Sequence, residues 1–475
     1  MAPTGPGYAT PLDAMKNGPR EELLYVICVQ PDLTSSKTDL LATVDINPKS
    51  PTYCKIIHYM HTGNKNDELH HTGWNVCSSC HGCTSAVRDK LIMPALGSDR
   101  VYMVDVGTNP KAPSIYKVFE PSEMHALNCS TPHTSHCLAN GDIMISTMGD
   151  INGNGKGDFV LIDSKTLKMK GTWTKGPIAK FGYDFWYQPH FDIMISTEWG
   201  APKVFKKGFK PSDPSDTTIY GRSLNFFSWK EQKLIQSWNL GDDGIAPLEI
   251  RFLHDPLQPQ GFVGCALNAN VYRFYLSNGK WNVDKVIDVK PKKVTGWVGD
   301  YLQGMITDII LSLDDKYLYL SNWFHGDVRQ YDVSDPANPK LTGQVFLGGQ
   351  IVKDSKIKVI EDPELSEQPN PVYIKGKRLY GSPQMLQLSL DGKRLYVTSS
   401  IFSPWDKQFY PDIVKHGSFL VKLDIDHENG GMKLDNDFLV DFGDTPDGPL
   451  LAHEVRYPGG DCSSDIWLAE TACKK

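Results

Sequence analysis

The hexapeptide DIMIST stands at 142–147 and again, unchanged, at 192–197. Apolar residues closed by a small polar pair read as a short buried strand, and a strand that recurs at a fixed interval reads as a repeat unit. Working outward, related runs occur in GFVGCALN (261–268), KYLYLSNW (316–323) and KRLYVTSS (393–400). Two of them are entered through a hairpin signal: IILSLDDKYLYLSN (309–322) and MLQLSLDGKRLYVTS (385–399) both show strand, Asp-Asp or Asp-Gly turn, strand. HTSHCLANGDIMIST (133–147), FWYQPHFDIMIST (185–197), IRFLHDPLQPQGFVGCA (250–266) and AHEVRYPGGDCSSDIWLA (452–469) can be drawn as the same unit. A seventh, with an expanded turn, runs from HHTGW (70–74) to DRVYMVDV (99–106).

Further strands follow the hairpins, as in GDFVLID (157–163) then MKGTWT (169–174), and GDVRQYDV (326–333) then KLTGQVFLG (340–348). Each unit therefore reads as a four-stranded meander, and such meanders stacked radially make a β-propeller with a repeat of roughly 40 to 50 residues. The sequence predicts an all-β, seven-bladed β-propeller, counted to within one blade, with long Pro- and Gly-rich inter-strand loops. LLYVICVQ (23–30) and LLATVDI (40–46) are expected to complete the blade begun at the C-terminus and so close the ring, which removes an exposed sheet edge. Residues 1–20 read as an N-terminal extension and 21–475 as one propeller domain, with 353–381 as a long excursion over one face.

Composition narrows the function. The formal net charge of -7 arises from 56 acidic and 49 basic residues spread along the chain, so no basic face points to nucleic acid. No run approaches the roughly 18 apolar residues of a membrane span, and the N-terminus lacks the apolar core of a secretory signal. The expected compartment is the cytosol, with nuclear or peripheral membrane pools allowed. Ten cysteines in 475 residues are far from disulfide-scaffold density, so thiols are expected to stay free for metal binding or redox chemistry.

A propeller lines its central channel with the innermost strand of each blade, so equivalent repeat positions converge on one axis. Those positions carry His70 and His71, His133 and His136, Tyr183 to Trp186, Glu249 and Arg251, Thr307 and Asp308, Gln384, and His453 and Glu454. Any one of the 14 histidines is ordinarily a satisfied core or surface residue. Five of them at blade starts suggest a metal site, because imidazole suits copper, zinc, iron and nickel. Glu249, Asp308 and Glu454 are the candidate proton-relay carboxylates of such a site.

The cysteines admit several readings. Cys77-Ser-Ser-Cys80-His81 matches the covalent haem pattern, yet that is a match of three fixed residues, made in compartments for which the sequence shows no address. Cys77, Cys80 and Cys83 lack the fourth ligand of a zinc knuckle. A redox C-x-x-C pair normally opens a helix in a βαβ context, which is absent, so Cys77 and Cys80 stand as secondary redox candidates. Cys54 has Lys55 and His58 nearby, either of which would stabilise a thiolate or a selenium adduct. GDINGNGKGDF (149–159) lacks the full EF-hand ligand series and the Walker A spacing, and is read as a Gly-rich turn.

ELHHTGWNVCSSCHG, HTSHCLANGD, GYDFWYQP, PLEIRFLHDP, LSLDDKYLYLSNWFHGD, SPQMLQLSLDGKRLYVTSS and AHEVRYPGGDCSSDIW together resemble the selenium-binding protein family, whose members include methanethiol oxidases. The resemblance runs from about Gly5 to Trp467. It implies a seven-bladed propeller and oxidation of methanethiol with O2 and water to formaldehyde, hydrogen sulfide and hydrogen peroxide. It also implies copper held among His70, His71, His133, His136 and His453, and selenium associated with Cys54. Two positions depart from the pattern: His81 stands where mammalian-type relatives have phenylalanine, and Cys83 lies where relatives vary, so neither is expected to carry the family chemistry. A different class of function also fits, a selenium carrier or scaffold in vesicle or Golgi transport or redox sensing.

Overall fold

The computed structural model describes residues 6–470, so the first residues of the N-terminal extension lie outside it. It is all-β, and among the described residues seven four-stranded antiparallel sheets carry the chain. We number their first strands β1 (Gly73–Trp74), β2 (Ser130–Cys137), β3 (Phe185–Gln188), β4 (Pro247–Phe252), β5 (Ile306–Leu311), β6 (Leu386–Leu388) and β7 (Leu451–Arg456). Six sheets run in simple sequence order from their first strand outward. The seventh joins the chain ends: β7 pairs with Leu23–Val29, followed by Leu40–Asp45 and Lys55–His61. The arrangement is propeller-like.

Both DIMIST copies become second strands. Ile145 lies between Ser135 and Val160, and Ile195 between Trp186 and Phe226. Residues on both faces of these strands are buried because each sheet is covered by a neighbour on either side. That is why LLYVICV at Leu23–Val29 is continuously apolar instead of alternating. Fourth strands such as Lys233–Asn239 and Met432–Asp441 lie at the rim and carry polar, exposed residues. The core is accordingly divided among sheet interfaces: Ile92 and Met103 of one sheet meet Ile143 and Val160 of the next, and Phe262 and Val271 meet Ile309 and Leu320.

The two Ser-Leu-Asp turns are built alike. Ser312 Oγ donates to Asp314 at 2.6 Å and accepts from the Tyr317 amide at 2.9 Å, while Ser389 Oγ donates to Asp391 at 2.7 Å and accepts from the Arg394 amide at 3.0 Å. The left-handed residue each turn needs is Asp315 in one (φ 58°) and Gly392 in the other (φ 70°), two residue types that tolerate that conformation.

One expectation needs correction. AHEVRYPGGDCSSDIWLA is not a hairpin: only β7 is a strand, and the segment after it runs across the ends of several sheets. There Asp461 accepts from the Trp74 indole, Ser463 O lies 3.0 Å from His254 Nε2, and Gln188 donates to Trp467 O at 3.2 Å. The excursion at 353–381 also contains short strands, since Lys358–Glu361 joins Lys292–Thr295 and Tyr301–Leu302 in a small three-stranded sheet, and Tyr373–Ile374 pairs with Lys377–Arg378. These strands are only two to four residues long, too short for their alternation to show.

Candidate metal centre and its two cavities

The histidines meet where the first strands converge. His70 and His71 come from the residues just before β1, His133 from β2 and His453 from β7. His70 stacks on His453 with ring centroids 3.9 Å apart, and His133 lies 4.2 Å from His71 and 5.1 Å from His70. Ligand atoms of His70, His71 and His453 all fall within 4.8 Å of one another. All four are buried. Burial holds each ring well below its ordinary pKa, His133 at about 3 and His453 at about 4, so at neutral pH the rings are uncharged and able to donate a lone pair.

The other ring nitrogen of two of them is already committed. His453 Nδ1 lies 2.8 Å from Ser400 O and His133 Nδ1 3.0 Å from Thr134 Oγ1, while Nε2 of His71, His133 and His453 has no hydrogen-bond partner among the described residues. Buried polar atoms are seldom left so. The close set of His70, His71 and His453, all neutral and with unpartnered Nε2 atoms on His71 and His453, fits a transition-metal ion, and the Nδ1 contacts fix the rings of His453 and His133 as metal-binding histidines require.

His136, expected with this group, points elsewhere. It follows the register irregularity in β2, pairs there with Met144, and packs its ring against Phe185, Trp186 and Tyr187.

Two cavities of about 30 Å³ adjoin the cluster. The first is apolar: His70 and His133 line it with Met148, Tyr183, Trp199, Phe205, Phe402 and Trp405. Its roof comes from two loop helices, Pro202–Phe205 and Ser403–Phe409, joined where the Trp405 indole donates to Phe205 O at 3.1 Å. The second is polar and is lined by His71, His136, Asp184, Glu249, Arg251 and Arg456 among others.

Glu249 and Glu454 bracket His71, at 3.6 Å from Nε2 and 3.5 Å from Nδ1. Each carboxylate is paired to the arginine two residues on, Glu249 with Arg251 at 2.9 Å and Glu454 with Arg456 at 2.8 Å. Burial pushes both carboxyls up. Asp308 is one step removed, 3.9 Å from Arg251. The pairing was legible: Glu-Ile-Arg at 249–251 and Glu-Val-Arg at 454–456 are one motif at one repeat position. Sequence reasoning kept the first arginine only as a strand residue and missed Arg456, and it missed the aromatic roof, which comes from loops outside the repeat.

Cys54 sits apart from the cluster, in left-handed backbone (φ 62°) before the strand Lys55–His61. Burial pushes its thiol up, and the cation that opposes this is Lys375, not Lys55 or His58. Cys83 is disulfide-bonded, against the expectation of free thiols and outside any three-thiolate metal set. Cys77 and Cys80 do not face one another as a C-x-x-C pair: Cys77 Sγ lies 2.6 Å from Cys137 Sγ, while Cys80 Sγ donates to Leu138 O at 3.8 Å.

The model of the 56 kDa selenium-binding protein family (SBP56) matches residues 2–468. The chain belongs to that family. Among similar relatives of this selenium-binding protein are the methanethiol oxidase of Xenopus tropicalis, 59% identical with 98% of each chain covered, and that of Homo sapiens, 57% identical with 98% of each covered. Among solved structures, a hypothetical selenium-binding protein from Sulfolobus tokodaii superposes with a TM-score of 0.86 at 36% identity, covering 98% of this chain and 99% of the other.

Proposed function

We propose that this protein is a methanethiol oxidase, converting methanethiol, O2 and water to formaldehyde, hydrogen sulfide and hydrogen peroxide at a copper ion held by His70, His71, His133 and His453. The observation that carries this reading is the meeting of neutral, open imidazoles with a small apolar cavity. A cavity of 30 Å³ walled by aromatic rings suits a one-carbon thiol and leaves no space for a charged or bulky one.

Copper, bound there, supplies one-electron exchange between the thiol and O2. The chain's own part is binding, orientation and proton handling. Met148, Trp199, Phe205, Phe402 and Trp405 hold the methyl group and exclude water, so the sulfur end turns to His70 and His133. Ser400 O and Thr134 Oγ1 fix the rings of His453 and His133. On the polar side, Glu249 and Glu454 lie within reach of His71, and burial raises both carboxyls above the ordinary carboxylate range, which favours their holding and passing on a proton. Asp308 adjoins the same network through its 3.9 Å ion pair with Arg251, which helps to hold that guanidinium beside Glu249.

We further infer that the seven sheets are the blades of one closed ring that takes up the described residues from 21 onward. Support comes from the adjoining first strands: Thr72 donates to Glu454 of β7 at 2.5 Å, Ser146 beside β2 donates to Tyr183 O before β3 at 2.5 Å, and β4 adjoins both β3 and β5. The proposed compartment is the cytosol, with nuclear and peripheral membrane pools to be tested, in keeping with the free thiols of Cys28, Cys54, Cys77, Cys80, Cys129, Cys137 and Cys265 among the described residues. No helix among the described residues is long and apolar enough to cross a membrane. The rival reading, a selenium carrier or scaffold, rests on Cys54, whose raised pKa works against nucleophilic capture of selenium.

The deciding experiment supplies methanethiol to purified, copper-loaded protein and measures O2 uptake with sulfide and peroxide release. Equal stoichiometry is expected. Protein that binds copper at full occupancy yet consumes no methanethiol would overturn the assignment.

A further inference from the structure

Cys77 and Cys137 come from different sheets. Cys77 follows β1 in the loop that leads into the short helical turn Ser78–Cys80, and Cys137 ends β2. Their sulfurs are 2.6 Å apart, with the Cys137 thiol donating to Cys77. Ser79 Oγ stands beside both, 3.0 Å from Cys77 Sγ and 3.7 Å from Cys137 Sγ. A disulfide has its sulfurs roughly 2.05 Å apart, so closing the bond asks for a movement of only about half an ångström. Both residues line the polar cavity beside His71, whereas Cys80 lines a separate surface groove with Asn75, Val76 and Ala139. The motif that looks like a C-x-x-C pair in sequence is therefore divided in space, and the sulfur opposite Cys77 is one that no short motif announces.

We propose that Cys77 and Cys137 form a dithiol site that reduces hydrogen peroxide arriving through the polar cavity. Cys77, the hydrogen-bond acceptor of the pair, is the attacking sulfur. As thiolate it attacks one peroxide oxygen, the O–O bond breaks, Cys77 becomes a sulfenic acid, and the departing hydroxide takes a proton to leave as water. Cys137 then attacks the Cys77 sulfur, the S–O bond breaks, and the second water leaves with the Cys137 proton. In sum two thiols lose two protons and two electrons, and one peroxide becomes two waters. Two equivalents of a small monothiol restore the dithiol by exchange and leave as their own disulfide.

The site is suited to this place. The oxidation proposed above releases peroxide next to His71, one cavity wall from Cys77, and the present inference rests on that reading only for the source of the peroxide. The oxidised pair would also tie the loop that follows His70 and His71 to the strand that carries His133.

The test supplies peroxide directly and so does not depend on methanethiol turnover. Full-length protein is reduced, freed of reductant, treated with one equivalent of H2O2, alkylated, digested and analysed by mass spectrometry. The expected result is a cross-link between the Cys77 and Cys137 peptides, with both alkyl labels lost. In Cys137→Ser the reaction stops at a Cys77 sulfenic acid, captured by dimedone, and in Cys77→Ser peroxide consumption at this site is lost. Circular dichroism checks that each variant is folded, and should Cys137→Ser fail to fold, the cross-link in the unsubstituted protein still decides. A Cys77–Cys80 cross-link, or both thiols still free after peroxide is consumed or persists, would overturn the proposal. A protein that forms the cross-link but turns over no methanethiol would leave the dithiol site standing and remove only the oxidase.

Discussion

His70 and His453 lie face to face, their ring planes 18° from parallel and their centroids 3.9 Å apart, although one precedes β1 and the other sits in β7 near the opposite end of the chain. The pairing exists because β7 completes the sheet begun by Leu23–Val29, and Glu454 and Arg456 of β7 hydrogen-bond Thr72, the residue just before β1. The metal centre thus depends on the same strand that joins the chain ends. Alanine at His70, His71 or His453 is expected to abolish stoichiometric copper binding, read by elemental analysis after gel filtration, while His136→Ala retains it. Copper lost equally in His136→Ala would mean that the ion sits on the polar side.

Glu249 and Glu454 touch His71 without being among the imidazole ligands. Removing an outer partner of a metal-bound histidine typically costs about 10- to 100-fold in metal affinity or activity. Glu249→Gln is expected to weaken copper binding by about that factor, measured by competition with a chromogenic chelator. A change confined to turnover, with affinity intact, would instead assign Glu249 to proton transfer alone.

Trp405 and Phe402 roof the apolar cavity from a loop helix. One methylene in such a pocket is worth roughly 1–3 kcal/mol of discrimination. Trp405→Leu should therefore raise kcat/KM for ethanethiol relative to methanethiol by about tenfold or more, at some cost in thermal stability from the lost ring and its bond to Phe205 O. An unchanged ratio would place the thiol elsewhere.

The repeat, the strand order and the histidine positions were legible because each is written in local sequence: the DIMIST pair, the Ser-Leu-Asp turns, and imidazoles at equivalent starts. What escaped is what the repeat does not encode. The roof residues belong to irregular loops, the segment around Asp461 and Ser463 is a crossing and not a hairpin, and Cys137 meets Cys77 only because β2 packs beside β1. His133 and His136 share one first strand, but the register irregularity between Pro132 and Ser135 and the rings of Phe185 and Trp186 decide which of them joins the cluster, and neither is written in the local sequence.

Asp406 lies fully buried on the helix that carries Trp405, accepting from Ser400 Oγ at 2.6 Å and from the Ile401 amide at 3.3 Å. Burial pushes its carboxyl up to about 7, the two hydrogen bonds opposing the shift. Its pKa in the unfolded chain is about 3.9, so between these values the folded state holds a proton that the unfolded state has released. The contribution to stability is fully present below about pH 3.9 and is lost as pH rises through the folded value. Asp406→Asn keeps an acceptor for the Ile401 amide, offers its NH2 to Ser400 Oγ and carries no titrating group. Its melting temperature is therefore expected to gain on that of the unsubstituted protein as pH rises from 4 to 8, as measured by differential scanning calorimetry. A difference independent of pH would show that Asp406 is ionised in the folded protein throughout that range, and that the roof of the apolar cavity rests on a buried charge.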